Sequence, residues 1–346
     1  MRAVVFDGVG AVRLANVPEP LLETSGDAIV RVSHTAICGS DLHLVHGKVP
    51  IDAGETLGHE AVGVVEDVGD AVSRFSVGDP VVVAFNIACG RCWFCRRGET
   101  QLCDDFRNLG AGRFGGGLPG AQAELVRVPA ADHNLLGVPG GLEPERAMFA
   151  GDILTTAYYA AALAQPAPEE TLAVVGAGPV GNLCVQAARA LGAGTVLALD
   201  REPERLALAA RAGAVPIDVR AQHPQAAVDE RTEGRGADVV IEAVGSIEGF
   251  ETAVDVSRRG GRVVVLGVYA GETVEAQVGV WWARALTLRF AGVCPVHAWW
   301  ESAIAAVVDG RIDPDPIVSH RLPLDEAVEG YALFDRHEAT KVVLVP

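Results

Sequence analysis

The sequence has no apolar run of about 18 residues, the minimum for a helix that crosses a membrane. Its first residues carry neither a long apolar stretch nor a small-residue cleavage site, so we expect no signal peptide. Positive charge is scarce: 28 basic against 45 acidic residues give a formal net charge of −17. Such a surface repels phosphate backbones. We therefore expect a cytoplasmic protein with no membrane or nucleic-acid partner.

Cysteine is scarce as well, except in one segment. Four of the seven cysteines lie between residues 89 and 103: Cys89, Cys92, Cys95 and Cys103. Their Cys-x2-Cys spacing is typical of a tetrahedral zinc site, and four thiolates leave no open position, so this zinc would be structural. Unpaired surface thiols are one alternative. An iron–sulfur cluster is another, although no proline follows the last cysteine.

Other residues must supply any reaction. The stretches "ICGSDLH" (37–43) and "GHE" (58–60) contain Cys38 and His59, both good zinc ligands. A catalytic zinc needs about three protein ligands and an open position, and Asp152 is a carboxylate candidate in otherwise apolar surroundings. Each residue also has a simpler explanation: a core cysteine, a hydrogen-bonded histidine and a helix cap.

The second half of the chain contains a nucleotide-binding pattern. The apolar run "TLAVV" leads into Gly176, Gly178 and Gly181, spaced G-x-G-x-x-G, and then into a helical pattern. A second strand, "TVLALD", ends at Asp200. This order of strand, glycine turn, helix, strand and acid predicts that a dinucleotide pyrophosphate binds at the helix N-terminus.

The rest of this half extends the same pattern. Apolar runs at 237–245 and 260–268 continue the alternation of strands and helices, which predicts an α/β fold with a doubly wound parallel sheet. Asp200 can accept both adenine-ribose hydroxyls and would repel a 2′-phosphate, so we expect NAD rather than NADP. A Rossmann-like fold that binds another ligand is the alternative.

Taken together, these motifs resemble the zinc-dependent medium-chain alcohol dehydrogenases over essentially the whole length. "FNIACGRC" and "GDILTTAYYA" are most similar to the subgroup that contains the glutathione-independent formaldehyde dehydrogenases. The resemblance implies a chaperonin-like (GroES-like) β-rich catalytic domain, residues 1–152 and 296–346, which includes the structural zinc lobe (89–103). It implies an NAD-binding Rossmann domain over residues 153–295.

The resemblance also implies the catalytic zinc ligands. By motif these are Cys38, His59 and Asp152. Glu60 would be a neighbouring carboxylate that binds the zinc either directly or through water. Asp41 corresponds to an acid that orients a ligand histidine.

Further roles follow from the same resemblance. Ser40 would take the substrate proton and His43 would be the outer end of that relay. Arg205 would hold the adenosine part of the cofactor, and Lys341 would lie over its pyrophosphate. The implied cofactor-binding set is Gly176, Gly178, Pro179, Val180, Gly181, Asp200, Arg205 and Lys341.

The implied function is that of an NAD-dependent zinc alcohol dehydrogenase (EC 1.1.1.-) with two Zn²⁺ per subunit. It would transfer a hydride between a small alcohol and NAD, or reduce an aldehyde or ketone in reverse, as a homodimer or homotetramer. Within the family the alternative is a polyol or threonine dehydrogenase. The alternative of another class is a non-catalytic NAD-binding protein.

Overall fold

A computed structural model describes residues 1–271 and 273–346, and it divides into two compact units. The first consists of Met1–Thr155, Pro295–Val308 and Val318–Pro346, and the second of Thr156–Cys294 and Asp309–Ile317. The first unit is rich in strands and the second alternates strands with helices, which confirms the predicted fold class. Residues 309–317 belong to the second unit, although the sequence prediction assigned them to the first domain.

Elements are numbered in chain order. The strands of the first unit are β1 (Arg2–Gly8), β2 (Ala11–Asn16), β3 (Ala28–Ile37), β4 (Glu60–Val68), β5 (Pro80–Val83), β6 (Asn86–Ile87), β7 (Arg107–Asn108), β8 (Leu125–Val128), β9 (Leu135–Gly137), β16 (His320–Pro323) and β17 (Val342–Val345). Its helices are α1 (Gly39–Val45), α2 (Ala131–Asn134), α3 (Pro144–Met148), α10 (Val296–Val308) and α11 (Ala327–Asp335).

A seven-stranded sheet organises the first unit. Its order is β16-β17-β3-β4-β5-β9, and β8 pairs with β3. The ten-residue strand β3 is antiparallel to both β4 and β17. Its apolar side chains Ala28, Val30 and Val32 are buried in one core with Val81 and Val83 of β5. The end of β3 and the start of β4 therefore lie at one edge of a well-packed sheet.

The second unit begins with α4 (Ile153–Ala164), which spans the division between the units. Its other elements are β10 (Thr171–Val175), α5 (Pro179–Ala190), β11 (Thr195–Asp200), α6 (Pro203–Arg211), β12 (Val215–Asp218), α7 (Pro224–Arg231), β13 (Ala237–Glu242), α8 (Ile247–Val256), β14 (Ser257–Val265), α9 (Val278–Ala283) and β15 (Thr287–Phe290). The six strands pair in the order β12-β11-β10-β13-β14-β15, all parallel.

The predicted doubly wound sheet is thus present in the second unit. Its central strands β10 and β13 are buried along their whole length, as is usual for parallel strands covered on both faces. Across the described residues, no helix combines the length and apolarity needed to cross a membrane.

Candidate active site and metal centres

Strand register brings the first two predicted ligands together. β3 ends at Ile37, directly before Cys38, and β4 begins at Glu60, directly after His59. Because the two strands are antiparallel, with Ala36 opposite Glu60, both ligand motifs lie at the same edge of the sheet.

Asp152 reaches this edge from a third segment. It follows a 3₁₀ turn, Phe149–Gly151, and the N–H of Phe85 donates to the Gly151 carbonyl at 3.0 Å. One ligand atom each from Cys38, His59, Glu60 and Asp152 all lie within 4.8 Å of one another. The structure therefore brings together the four residues predicted for a catalytic metal.

The donor set fits zinc. A thiolate, an imidazole and carboxylates are the ligand types that zinc takes. His59 Nε2 is 3.2 Å from Asp152 Oδ2, so this nitrogen faces the other ligands. Glu60 Oε2 is buried and, among the described residues, accepts no hydrogen bond. A buried carboxylate oxygen without a donor is costly unless a cation lies beside it.

The electrostatics of this cluster also favour a cation. Burial acts to lower the pKa of His59, but the nearby charge of Asp41 and a hydrogen bond to Asp152 outweigh it. Together they raise the pKa of His59 well above 6.5. Positive charge at this position is therefore stabilised by the acids that surround it.

Lys341 lies beside this cluster, next to Glu60. Its ammonium pairs with Glu60 Oε1, and the two side chains are 1% and 0% exposed. Burial disfavours its charge, but the attraction of Glu60 prevails and raises the pKa of Lys341 above 10.5. The pairing of β17 with β3, which sets Val342 opposite Ile37, brings Lys341 to this edge of the sheet. The place of Lys341 over the pyrophosphate stays a prediction.

The short helix α1 carries the predicted proton-transfer residues. Ser40 Oγ is 3.1 Å from His59 Nε2, and Ser40 is partly exposed. His43 lies three residues later on α1, also partly exposed, so the two side chains share one helix face. Asp41, fully buried on the same helix, places Oδ1 3.1 Å from His59 Nδ1. That distance agrees with the predicted orienting role of Asp41.

The four-cysteine lobe forms the other metal candidate. One sulfur each from Cys89, Cys92, Cys95 and Cys103 lies within 4.8 Å of the others. The apolar cluster at its centre consists of these cysteines with Ala88 and Phe106. Backbone N–H donors, first that of Asp104, lower the pKa of Cys92 to about 6. Four thiolates are a donor set that fits a structural zinc. Because the lobe contains so little aliphatic core, metal binding would supply much of its folding free energy.

A partly buried histidine that sequence reasoning missed connects this lobe to the rest of the first unit. His297, on α10, lies 2.9 Å from Thr100 Oγ1 and 2.8 Å from Asn134 Oδ1. Asn134 in turn donates to the Ala88 carbonyl at 3.0 Å and accepts from the Ala88 N–H at 2.9 Å. Burial lowers the pKa of His297 to about 3, so the ring is neutral.

The glycine turn of the second unit has the predicted geometry. Gly176 has φ +91°, which favours glycine, and a Cβ on Gly181 would overlap the Gly176 carbonyl. No atom lies within 4 Å of a Cβ built on Gly178. Pro179 and Val180 begin α5 and are partly exposed with Gly178. The helix N-terminus is therefore open to an anionic group.

The Asp200 carboxylate accepts hydrogen bonds from backbone N–H groups in and after the glycine turn. Its Oδ2 accepts from the Ala177 N–H at 2.6 Å and its Oδ1 from the Glu202 N–H at 2.9 Å. Arg205 lies on α6, and its carbonyl accepts from the Asn182 side chain at 3.4 Å. Asp200 thus braces the turn in addition to any contact with a ribose.

The sequence analysis did not predict two further polar residues near His59. Gln122 and Tyr331 are buried and hydrogen-bonded to each other at 2.9 Å, and Gln122 also contacts Asp41. The signal in the sequence was weak: an amide in "GAQAEL" and a phenol in "EGYALF", each within an apolar stretch.

Two family models match the chain. The alcohol dehydrogenase GroES-like domain matches residues 24–140, and the zinc-binding dehydrogenase model matches residues 179–308. Together they cover most of both units.

Individual proteins match over their full length. A zinc-type alcohol dehydrogenase-like protein of Bacillus subtilis is 36% identical over 100% of each chain. A glutathione-independent formaldehyde dehydrogenase of Pseudomonas aeruginosa is 31% identical, over 100% of this chain and 97% of its own. The alcohol dehydrogenase TADH from Thermus sp. ATN1 superposes with a TM-score of 0.95 at 46% identity, covering 100% and 99%.

One solved neighbour contains a cofactor. It is a zinc-binding dehydrogenase from Sinorhizobium meliloti bound to NADP, with a TM-score of 0.87 and 32% identity over 100% and 99% of the chains.

Proposed function

The chain belongs to the zinc-dependent medium-chain alcohol dehydrogenase family, and we propose that it oxidises a small alcohol to an aldehyde or ketone with NAD. It is a zinc-dependent oxidoreductase with zinc and a nicotinamide dinucleotide as cofactors. The substrate class, the preference for NAD and the roles of single residues are the proposal.

One observation gives the main support for this proposal. Three ligand types from three distant segments, Cys38, His59 and Asp152, meet in a cluster whose remaining member, Glu60, is already paired with Lys341. A metal held by three ligands keeps a position free for substrate, whereas the four-cysteine lobe leaves none. The cluster is therefore the proposed reaction centre.

The residues around the cluster have different roles in the proposed reaction. Zinc, when bound there, supplies Lewis-acid polarisation of the substrate oxygen, and the nicotinamide supplies the hydride acceptor. Ser40 Oγ, 3.1 Å from His59 Nε2 and partly exposed, takes the proton of the alcohol. His43, on the same face of α1, passes that proton toward solvent. Asp41 holds His59 in orientation through Nδ1.

NAD is the proposed cofactor because Asp200 ends β11 beside the glycine turn. Its carboxylate would repel a 2′-phosphate. Arg201 follows it and is exposed, 3.5 Å from Glu202, and one solved neighbour is bound to NADP. Asp200→Asn keeps an acceptor for the Ala177 N–H, and we expect at least a 10-fold shift of kcat/KM from NAD toward NADP.

Turnover assays test the proposal directly. Purified protein is supplied with primary and secondary alcohols, diols, polyols, threonine and aldehydes, with either cofactor, and reduced nicotinamide is followed by absorbance. We expect alcohol-dependent reduction of NAD. Binding of NAD and zinc with no turnover on any substrate would instead support a non-catalytic NAD-binding protein.

Ser40 gives a sharper test of the residue roles. Ser40→Ala lowers kcat by about 10²- to 10⁴-fold, the usual contribution of a general acid–base group, while zinc content stays unchanged. Ser40→Thr, which restores a hydroxyl, recovers part of the rate. Equal kcat in wild type and Ser40→Ala would contradict proton transfer through this residue.

We also propose a cytoplasmic homo-oligomer. None of the seven cysteines, all of which lie in the described ranges, forms a disulfide, as is usual in a reducing compartment. β15 is the last strand of the described sheet, and Phe290 on it and Trp282 on α9 are 68% and 83% exposed. An edge strand with exposed apolar side chains is suited to pairing with a second copy. Light scattering should give a dimer or tetramer for the wild type and smaller species for Phe290→Lys.

A further inference from the structure

A buried chain of side chains runs from the C-terminal helix α11 to the candidate metal ligand His59. Tyr331 Oη donates to Gln122 Oε1 at 2.9 Å, and Gln122 Nε2 donates to Asp41 Oδ2 at 3.3 Å. The other oxygen of Asp41 is 3.1 Å from His59 Nδ1. Tyr331, Gln122 and Asp41 are all buried. These four residues form a continuous path from α11 to the imidazole.

The chemistry of the path fixes the orientation of the amide. Gln122 Nε2 also donates to the Ala36 carbonyl at 3.1 Å, so its NH₂ group faces two acceptors. The amide oxygen must then point toward Tyr331, and the phenol must be the donor. A glutamate at 122 would set a negative charge against Asp41, and an apolar residue would leave both acceptors without this donor.

Gln122 also contacts the segment that carries His59. A Cβ on Gly58 would overlap the Gln122 side chain, so the glycine before His59 lies directly against it. The N–H of Gln122 donates to the Leu57 carbonyl at 2.9 Å. One residue therefore joins the loop before His59, the end of β3 at Ala36 and the start of α1 at Asp41.

Asp41 is held from two sides as a result. Its Oδ2 accepts from the Cys38 N–H at 3.0 Å as well as from Gln122. With this oxygen fixed, Oδ1 stays opposite His59 Nδ1, and Nε2 stays directed at Asp152. Loss of the amide or the phenol would loosen Asp41 and, through it, the imidazole.

We propose that Gln122 and Tyr331 are positioning residues that hold Asp41 and His59 in the geometry required for the catalytic zinc. The inference rests on the proposed zinc site, and it concerns metal retention rather than substrate identity. Changes in residues that orient a metal ligand typically cost about 10- to 100-fold in metal affinity.

The test compares metal retention in matched variants of the zinc-loaded protein. Tyr331→Phe removes one oxygen, and Gln122→Met replaces the amide by an apolar group of similar size. Tyr158→Phe, which removes the same oxygen from another buried tyrosine, is the control. Zinc transfer to a colorimetric chelator is followed over time, and the visible spectrum of protein with cobalt at the catalytic site reports ligand geometry.

We expect the more labile zinc to leave about 10-fold faster in Tyr331→Phe and up to about 100-fold faster in Gln122→Met, with an altered cobalt spectrum. The zinc of the four-cysteine lobe and the melting temperature of Tyr331→Phe should match those of Tyr158→Phe. The double variant should lose zinc no faster than Gln122→Met, since both changes break one path.

The inference is overturned if Tyr331→Phe retains catalytic zinc and the cobalt spectrum as the wild type does. It is also overturned if both zinc ions leave faster together, which would indicate general destabilisation. These readouts are independent of turnover. Altered metal retention in a protein that oxidises no alcohol would support the positioning role and refute only the proposed function.

Discussion

Lys341→Met is expected to destabilise the first unit strongly, because it leaves Glu60 buried without its cation. The chain has only two lysines, Lys48 and Lys341. Lys341 is 1% exposed and its ammonium contacts Glu60, which is 0% exposed. Methionine matches the length of the side chain, so little packing is lost while the charge is removed.

The magnitude follows from this burial. Removal of one partner of a fully buried ion pair costs about 3–5 kcal/mol, because the remaining charge is neither solvated nor paired. For a domain of 150–250 residues that corresponds to a melting temperature lower by roughly 10 °C. Zinc bound at the proposed catalytic site would offset part of the loss at Glu60, so the decrease should be larger after that zinc is removed.

Calorimetry and urea unfolding measure the effect, with Lys48→Met at an exposed site as the control. The double variant Glu60→Gln/Lys341→Met should recover most of the stability, because it removes both charges. If Lys341→Met unfolds as the wild type does but binds NAD more weakly, the buried pair of Lys341 and Glu60 does not stabilise the first unit. The pyrophosphate role predicted from the sequence would then hold.

Three further predictions concern the metal sites, the partly buried His297 and the glycine turn. Cys38→Ser should lose one zinc and the activity with little change in melting temperature, whereas Cys92→Ser should lose stability first; swapped outcomes would reverse the assignment of the two sites. His297, with its pKa lowered to about 3, takes up a proton on unfolding below its unfolded pKa of about 6.5. Stability should therefore fall as the pH drops from about 6.5 toward 3, by up to about 1.4 kcal/mol per pH unit, and His297→Gln should flatten that slope. Gly181→Ala should destabilise the second unit because its Cβ overlaps a carbonyl, but Gly178→Ala should fold normally and lose NAD affinity; equal melting temperatures would contradict this.

The spacing of residues along the chain was enough to predict the four-cysteine lobe and the glycine turn. The cysteines between 89 and 103 are close in the chain, so a short loop suffices to gather their sulfurs. Gly176, Gly178 and Gly181 likewise belong to one turn between one strand and one helix. In both cases a few backbone torsions set the geometry, and the residue types and intervals reveal it.

The tertiary structure decided the contacts between distant segments. Lys341 meets Glu60, Tyr331 meets Gln122, and His297 meets Asn134. No local rule predicts such pairs, because each depends on which strands are neighbours and in which register. The pairing of β17 with β3, and of β3 with β4, determines which charges lie beside His59. The sequence thus determined the candidate ligands and the glycine turn, whereas strand order and register determined the charges and hydrogen bonds that surround them.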